Sequence, residues 1–219
     1  MATVEIAILL FDRLTALDAV GPYEVLSRLP GAEVKFVATE PGPQRTETRM
    51  LSLVADHSLS DVRQPEIVLI PGGFGTRELL DDEPVLDWIR SVHETSRWTT
   101  SVCTGSLLLG AAGVLRGLKA TTHWLVLDRL AEFGAEPTSE RVVEQGKVIT
   151  AAGVSSGIDM ALRLAQLEAG DDVAQGIQLG IEYDPQPPFD AGSAEKAPKH
   201  VVEVVTALAR GLEAEAPTT

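Results

Sequence analysis

Residues 98–105 read Trp98-Thr99-Thr100-Ser101-Val102-Cys103-Thr104-Gly105, and they place the only cysteine of the 219-residue chain at a junction. Strand-favouring residues run up to Cys103, and Thr104-Gly105-Ser106 opens a stretch rich in leucine and alanine. That order predicts a strand, a sharp turn carrying a nucleophile, and a helix, the arrangement that lifts a serine out of an α/β-hydrolase sheet. The amino end of a helix presents unpaired N–H groups and a partial positive charge. A thiol held there is expected to be acidified toward the thiolate, the form that attacks electrophiles. Many free cysteines are merely small buried hydrophobes; the flanking turn argues for a nucleophile here.

The rest of the chain supplies the sheet for that turn. Glu5–Leu10 and Ile67–Pro71 are almost continuously apolar, as strands covered on both faces are. Glu33–Thr39 alternates, Lys119–Trp124 reads as a short strand, and Glu144-Gln145-Gly146 reverses the chain between Arg141–Val143 and Lys147–Ala151. A small edge pair is expected within Thr48–Ala55. Apolar spacing predicts helices over Thr15–Leu29, Thr76–Thr95, Thr104–Leu115, Leu125–Phe133, Ser156–Ala169 and, amphipathic and terminal, Val201–Glu215. Strands alternating with helices predict one doubly wound α/β domain over residues 1–219, its sheet mostly parallel with helices on both faces and its last residues, 214–219, frayed. Such sheets hold ligands at the carboxyl ends of their strands. Gly72-Gly73, Cys103 and the turn after the first strand all fall at that edge.

Composition narrows the partners. A net charge of −14 repels phosphate backbones, which disfavours nucleic acid. A lone cysteine forms no internal disulfide, which suits a reducing, cytoplasmic setting. No secretory leader and no membrane-length apolar run is read in the sequence, so no membrane partner is expected. A small-molecule substrate fits best.

Several residues near that edge are chemically suggestive. Gly72 and Gly73 follow a buried strand, and their backbone N–H groups would support an anion formed during attack by Cys103; a simple tight turn is the alternative. Asp18 sits among Leu14, Ala16, Leu17, Ala19 and Val20. Burial beside a thiolate would raise its pKa toward values useful for proton transfer, whereas an exposed position would make it an ordinary helix-start acid. His123 would either touch Cys103 or be a core histidine satisfied by backbone. His57, His93 and His200 read as surface residues. No His, Cys or acidic spacing suggests a metal site. The run 181–192, with three prolines, predicts a stiff arm on which Tyr183 and Phe189 would cover a pocket or grip another subunit.

Taken together, Leu-Leu-Phe-Asp, Pro-Gly-Gly, Ser-Val-Cys-Thr-Gly, Ala-Thr-Thr-His-Trp, Gly-Val-Ser-Ser-Gly-Ile-Asp-Met and Glu-Tyr-Asp-Pro-Gln-Pro-Pro-Phe-Asp resemble the ThiJ/PfpI superfamily over most of the chain. The resemblance implies a flavodoxin-like sheet and a cysteine nucleophile elbow. Deglycase-, glyoxalase- and protease-like members usually carry a glutamate where this chain has Asp18. Aspartate there, with Cys-Thr-Gly and the Tyr-Asp-Pro-Gln-Pro-Pro run, looks most like the isonitrile hydratase branch. It implies Cys103, Asp18 and Thr104 as catalytic residues, with Thr104 bonded to Asp18, Gly72 and Gly73 as donors, and His123 and Tyr183 around the pocket. It further implies no cofactor and a homodimer. Amidase-like domains of certain transcription regulators share these features, but the DNA-binding helices they append are not expected here. The alternatives are glyoxalase-, deglycase- or amidase-like chemistry on the same elbow, or a cysteine-based oxidation or ligand sensor.

Overall fold

The computed structural model describes the backbone of residues 3–214, and their side chains except at 210 and 212–214. Along the chain run β1 (Val4–Leu9), α1 (Ala16–Leu26), β2 (Ala32–Ala38), β3 (Gly42–Arg45), β4 (Ser52–Ala55), β5 (His57–Ser58) and β6 (Ile67–Ile70). Then follow α2 (Thr76–Leu79), α3 (Glu83–Thr95), β7 (Trp98–Val102), α4 (Gly105–Ala111), β8 (Lys119–Ala120), a 3-10 helix (Trp124–Phe133) and β9 (Glu136–Pro137). The remaining elements are β10 (Val142–Gln145), β11 (Val148–Ala151), α5 (Ser156–Ala169), α6 (Asp171–Gly180) and α7 (Lys199–Ala214). Close contacts group the chain into two units, Met1–Glu182 and Tyr183–Thr219.

The first unit holds a seven-stranded sheet in the order β10-β11-β7-β6-β1-β2-β5. Every pairing in it is parallel except the β10–β11 hairpin on one edge. This is the expected doubly wound, mostly parallel sheet. Its central strands are apolar because both faces are covered: Ile6, Ile8, Ile67, Leu69 and Ile70 are essentially inaccessible. Each such side chain contributes about 1.5–3 kcal/mol by leaving water, before entropy is counted. The order changes direction between β1 and β6, and the carboxyl ends of β1, β6 and β7 meet at that point.

Several elements differ from the sequence reading for local reasons. The helix expected over 76–95 is two helices, because Asp82 caps α3 by accepting from Val85 N (3.2 Å) and Pro84 occupies its first turn. The edge pair reaches further back than 48–55: β3, with Pro43, pairs antiparallel to β4 across a turn at 46–51. Of the strand expected over 119–124 only Lys119–Ala120 is extended, and it pairs with β9, outside the main sheet. The following helix is 3-10, with non-helical backbone at Val126. The helix α6 was not expected from the sequence at all.

The second unit contains the proline-rich stretch and α7. In it Phe189 is exposed, Lys196 pairs with Asp190 at 2.7 Å, and α7 exposes Val201, Val204, Val205 and Leu208. Fraying expected over 214–219 concerns, beyond Ala214, residues outside those described. No helix among the described residues is long and apolar enough to cross a membrane.

Candidate active site

Strand β7 delivers Cys103 in a conformation that few side chains adopt, with φ +56°. Backbone of this kind costs on the order of 1–2 kcal/mol for a residue other than glycine, and it persists only where the surroundings enforce it. Here they do. The Cys103 N–H donates to Ala151 O (3.1 Å) and Ala152 O (2.8 Å), at the end of neighbouring β11. The Cys103 carbonyl accepts from Thr122 Oγ1 (2.8 Å) and Ser106 Oγ (3.1 Å). Behind it, α4 starts so close to β6 that a Cβ at Gly105 would fall 2.1 Å from Ile70 O. Only a glycine lets the helix leave the sheet there.

Asp18 comes to the same point from α1, near the helix start and with no exposed surface. Gly72 N donates to its Oδ2 at 3.0 Å, while Oδ1 meets no nitrogen or oxygen donor. The Cys103 thiol is the other group that acts on this carboxyl at close range. Burial raises Asp18 to a pKa of about 7, against the lowering influence of the Gly72 N–H and with Glu47 adding to the rise. The thiol is pushed well above its ordinary range by burial first and by the Asp18 charge second, although Thr104 N–H and Val154 N–H are directed at the sulfur. Burial and mutual repulsion therefore favour a pair that keeps a proton. Burial thus works against the acidification expected from helix geometry, and α4, which spans only Gly105–Ala111, is a short helix to oppose it.

Gly72 is the spacer that brings the parts together. A Cβ there would lie 2.5 Å from Thr104 N, 2.7 Å from Thr104 Oγ1 and 2.9 Å from Asp18 Oδ2. Two expectations about these groups are corrected. The Gly72 and Gly73 N–H groups are not free donors for a reacting anion: the first is committed to Asp18 and the second donates to Thr104 Oγ1 at 2.9 Å. Nor does the Thr104 hydroxyl bond Asp18; it donates to Gly73 O (3.2 Å) and accepts from Gly73 N and Thr76 Oγ1. Thr104 thus locks the elbow to the β6–α2 turn, and what it offers the sulfur is its backbone N–H.

His123 lies close by in a different role from the one that would keep Cys103 ionised. Its Nδ1 accepts from Leu125 N (3.4 Å), burial lowers its pKa, and its ring edge lies against Gly153. It is a neutral cap of the 3-10 helix that braces the segment carrying Val154. Tyr183 belongs to the second unit. His93, read as a surface residue, is half-buried and shares a hydrogen bond with Thr99 Oγ1 (2.8 Å) at the far end of β7. Val154 and Glu47 were missed. A backbone N–H leaves no mark in a sequence, and Glu47 is one acid among 32 acidic residues. Among the described residues no three His, Cys, Asp or Glu come together as a metal site would need.

With this geometry in view, the comparisons are decisive for the family. The profile of the DJ-1/PfpI family matches residues 4–167. The chain belongs to that family. It is 46% identical over 199 residues to the isonitrile hydratase of Pseudomonas putida, covering 91% of this chain and 87% of that protein. A THiJ/PfpI family protein of Pseudomonas syringae has a crystal structure superposing with a TM-score of 0.93 at 38% identity, over 97% of this chain and 88% of that one. DJ-1beta of Drosophila melanogaster, at 21% identity and a TM-score of 0.76, covers 84% of this chain and all of that one, and shares the fold. The mostly parallel sheet with its flanking helices is thus that of the DJ-1/PfpI fold.

Proposed function

We propose that this protein hydrates isonitriles to N-substituted formamides, using Cys103 as nucleophile and Asp18 as proton carrier. The observation that carries the reading is the buried Asp18 carboxyl against the Cys103 thiol, with Oδ1 lacking any nitrogen or oxygen partner. The similarity to the Pseudomonas putida isonitrile hydratase supports the choice of substrate class.

The chemistry follows from the proton that the Asp18–Cys103 pair retains. The Asp18 carboxylate takes the thiol proton as sulfur adds to the terminal carbon of R–N≡C, then passes that proton to the carbon, giving the thioimidate R–N=CH–S–Cys103. Thr104 N–H and Val154 N–H steady the negative charge on sulfur. Water adds to the thioimidate carbon as Asp18 takes one of its protons and nitrogen gains one. Collapse to R–NH–CHO breaks the carbon–sulfur bond, and the departing sulfur recovers a proton. Overall one water is consumed and no electrons are transferred.

Incubation with a simple alkyl isonitrile, followed by mass spectrometry, should show repeated formation of the formamide by the parent protein and none above background by Cys103→Ala. A protein that forms no formamide, or a Cys103→Ala variant as active as the parent, would overturn the assignment. Continued turnover also separates the enzyme from a sensor, which reacts once. On the same family grounds we propose a homodimer, for light scattering to check.

A further inference from the structure

The turn after β3 brings a second carboxylate to the start of α1, the helix that carries Asp18. Thr46 closes that turn, its N–H and its hydroxyl both donating to Leu51 O (2.9 and 3.1 Å). The next residue is fastened to the start of α1: Glu47 N donates to Leu14 O at 3.0 Å, and Leu14 also bridges to Thr46 and Gly73. The Glu47 side chain is held beside Thr15, whose Oγ1 donates to Glu47 Oε2 at 3.0 Å.

Thr15 precedes the first residue of α1, where a threonine hydroxyl ordinarily turns inward to accept from the helix. It makes no such cap and spends its proton on Glu47 instead. The backbone of Thr15 is part of the site: its N–H donates to Gly72 O (2.9 Å), and its carbonyl accepts from Asp18 N (3.1 Å). No ion pair among the described residues neutralises Glu47. Of the nearby arginines, Arg13 pairs with Glu78 at 3.2 Å and Arg49 with Asp12 at 2.7 Å. The other groups facing Asp18 and Cys103 are the N–H donors of Gly72, Thr104 and Val154.

We propose that Glu47 is a positioning residue whose uncompensated charge, held by Thr15 at the start of α1, keeps the Asp18–Cys103 pair in its proton-bearing form. Its negative charge raises both groups of the pair, as the electrostatics of each record. On the proposed hydration, to which this adds a tuning residue, the effect preserves an acid able to protonate the substrate carbon up to and beyond neutral pH.

The test does not depend on that reaction. Cys103 is the only cysteine, so the pH profile of its alkylation by iodoacetamide, followed by intact mass, reads the pair alone. Glu47→Gln retains an acceptor for Thr15 but loses the charge, and its profile should move to lower pH by roughly 0.5–1 unit. Glu47→Asp keeps the charge and should stay nearer the parent, and Thr15→Val, which keeps Glu47, should shift less than Glu47→Gln. Thermal melts confirm that each variant is folded. A Glu47→Gln profile that superposes on the parent or moves upward overturns the proposal, as does a Glu47→Asp shift as large as that of Glu47→Gln. Absence of formamide with an intact alkylation shift would remove the hydration reading and leave this one standing.

Discussion

Strand β7 carries a polar cluster at each end, and the two are built on opposite principles. At its amino end Thr99 Oγ1 bonds with both His93 Nδ1 (2.8 Å) and Ser96 Oγ (3.0 Å). Lys147 Nζ donates to the carbonyls of His93, Glu94 and Ser96 that finish α3, and Trp98 Nε1 donates to Glu168 Oε1 at 2.5 Å. Polar atoms there are matched, and the result is a joint. At the carboxyl end, Cys103 sits at positive φ, Asp18 Oδ1 lacks a nitrogen or oxygen partner, and both ionisable groups are driven from their usual range. A buried polar atom without a partner costs about 1–3 kcal/mol. Tolerating that cost at one end, while saturating the other, is the pattern a candidate active site shows.

The most damaging test of this contrast is Asp18→Asn. Turnover should fall by about 10²–10⁴, since a general acid–base is lost, while the fold is retained. Stability should respond with the opposite sign. The Asp18 carboxyl titrates at about 7 in the fold against 3.8 as its ordinary value. The stabilisation from its raised pKa is therefore complete below pH 4 and is lost as pH rises toward 7. Relative to the parent, Asp18→Asn should gain on the order of 4 kcal/mol between pH 4 and pH 8. Denaturant melts at the two pH values check this; a constant difference would mean that the fold does not raise the Asp18 pKa.

Gly72→Ala comes next. A methyl group 2.5 Å from Thr104 N must push the elbow away from Asp18. Displacement of about 1 Å costs roughly 10²-fold in rate. The loss should appear in kcat, with a smaller fall in Tm, and unchanged kinetics would show that the close approach has no catalytic consequence.

Lys147→Met probes the saturated end and should have the smallest effect. Losing its bonds to the end of α3 should cost about 1–2 kcal/mol in denaturant melts. The pH–rate profile should not move. If it does, the two ends of β7 are coupled and the contrast fails.

The same contrast explains what was legible in the sequence. Ile67–Ile70 and Val4–Leu9 announce a buried parallel sheet through composition alone, and Cys103 before Thr104-Gly105 announces the elbow, because both signals are local. Asp18 was suggestive for the same reason, a charge among apolar neighbours. The partners of these groups were not readable. The commitment of Gly72 N–H to Asp18 and of the Thr104 hydroxyl to Gly73 depends on contacts 54 and 31 residues apart. The role of Val154 is a backbone one. His93 reads as surface until Lys147 and Thr99 are brought against it by pairing of β11 with β7. The break between α2 and α3 was written in Asp82 and Pro84, but an apolar stripe continuing past it obscured the signal.

The missing side chain at Gly105 has a consequence for how this molecule comes apart. With α4 resting on the carbonyl of Ile70, the nucleophile turn is keyed into the strand beside it, and neither piece can lift off while the other stays. Loosening the elbow requires parting β6 from β7 at the middle of the sheet, a breach comparable to melting the whole unit. The backbone N–H of Cys103 should accordingly trade its hydrogen for deuterium in the slowest class, with the innermost strands. Heating should restore ordinary reactivity to the buried thiol in the same transition that erases the sheet, with no earlier change.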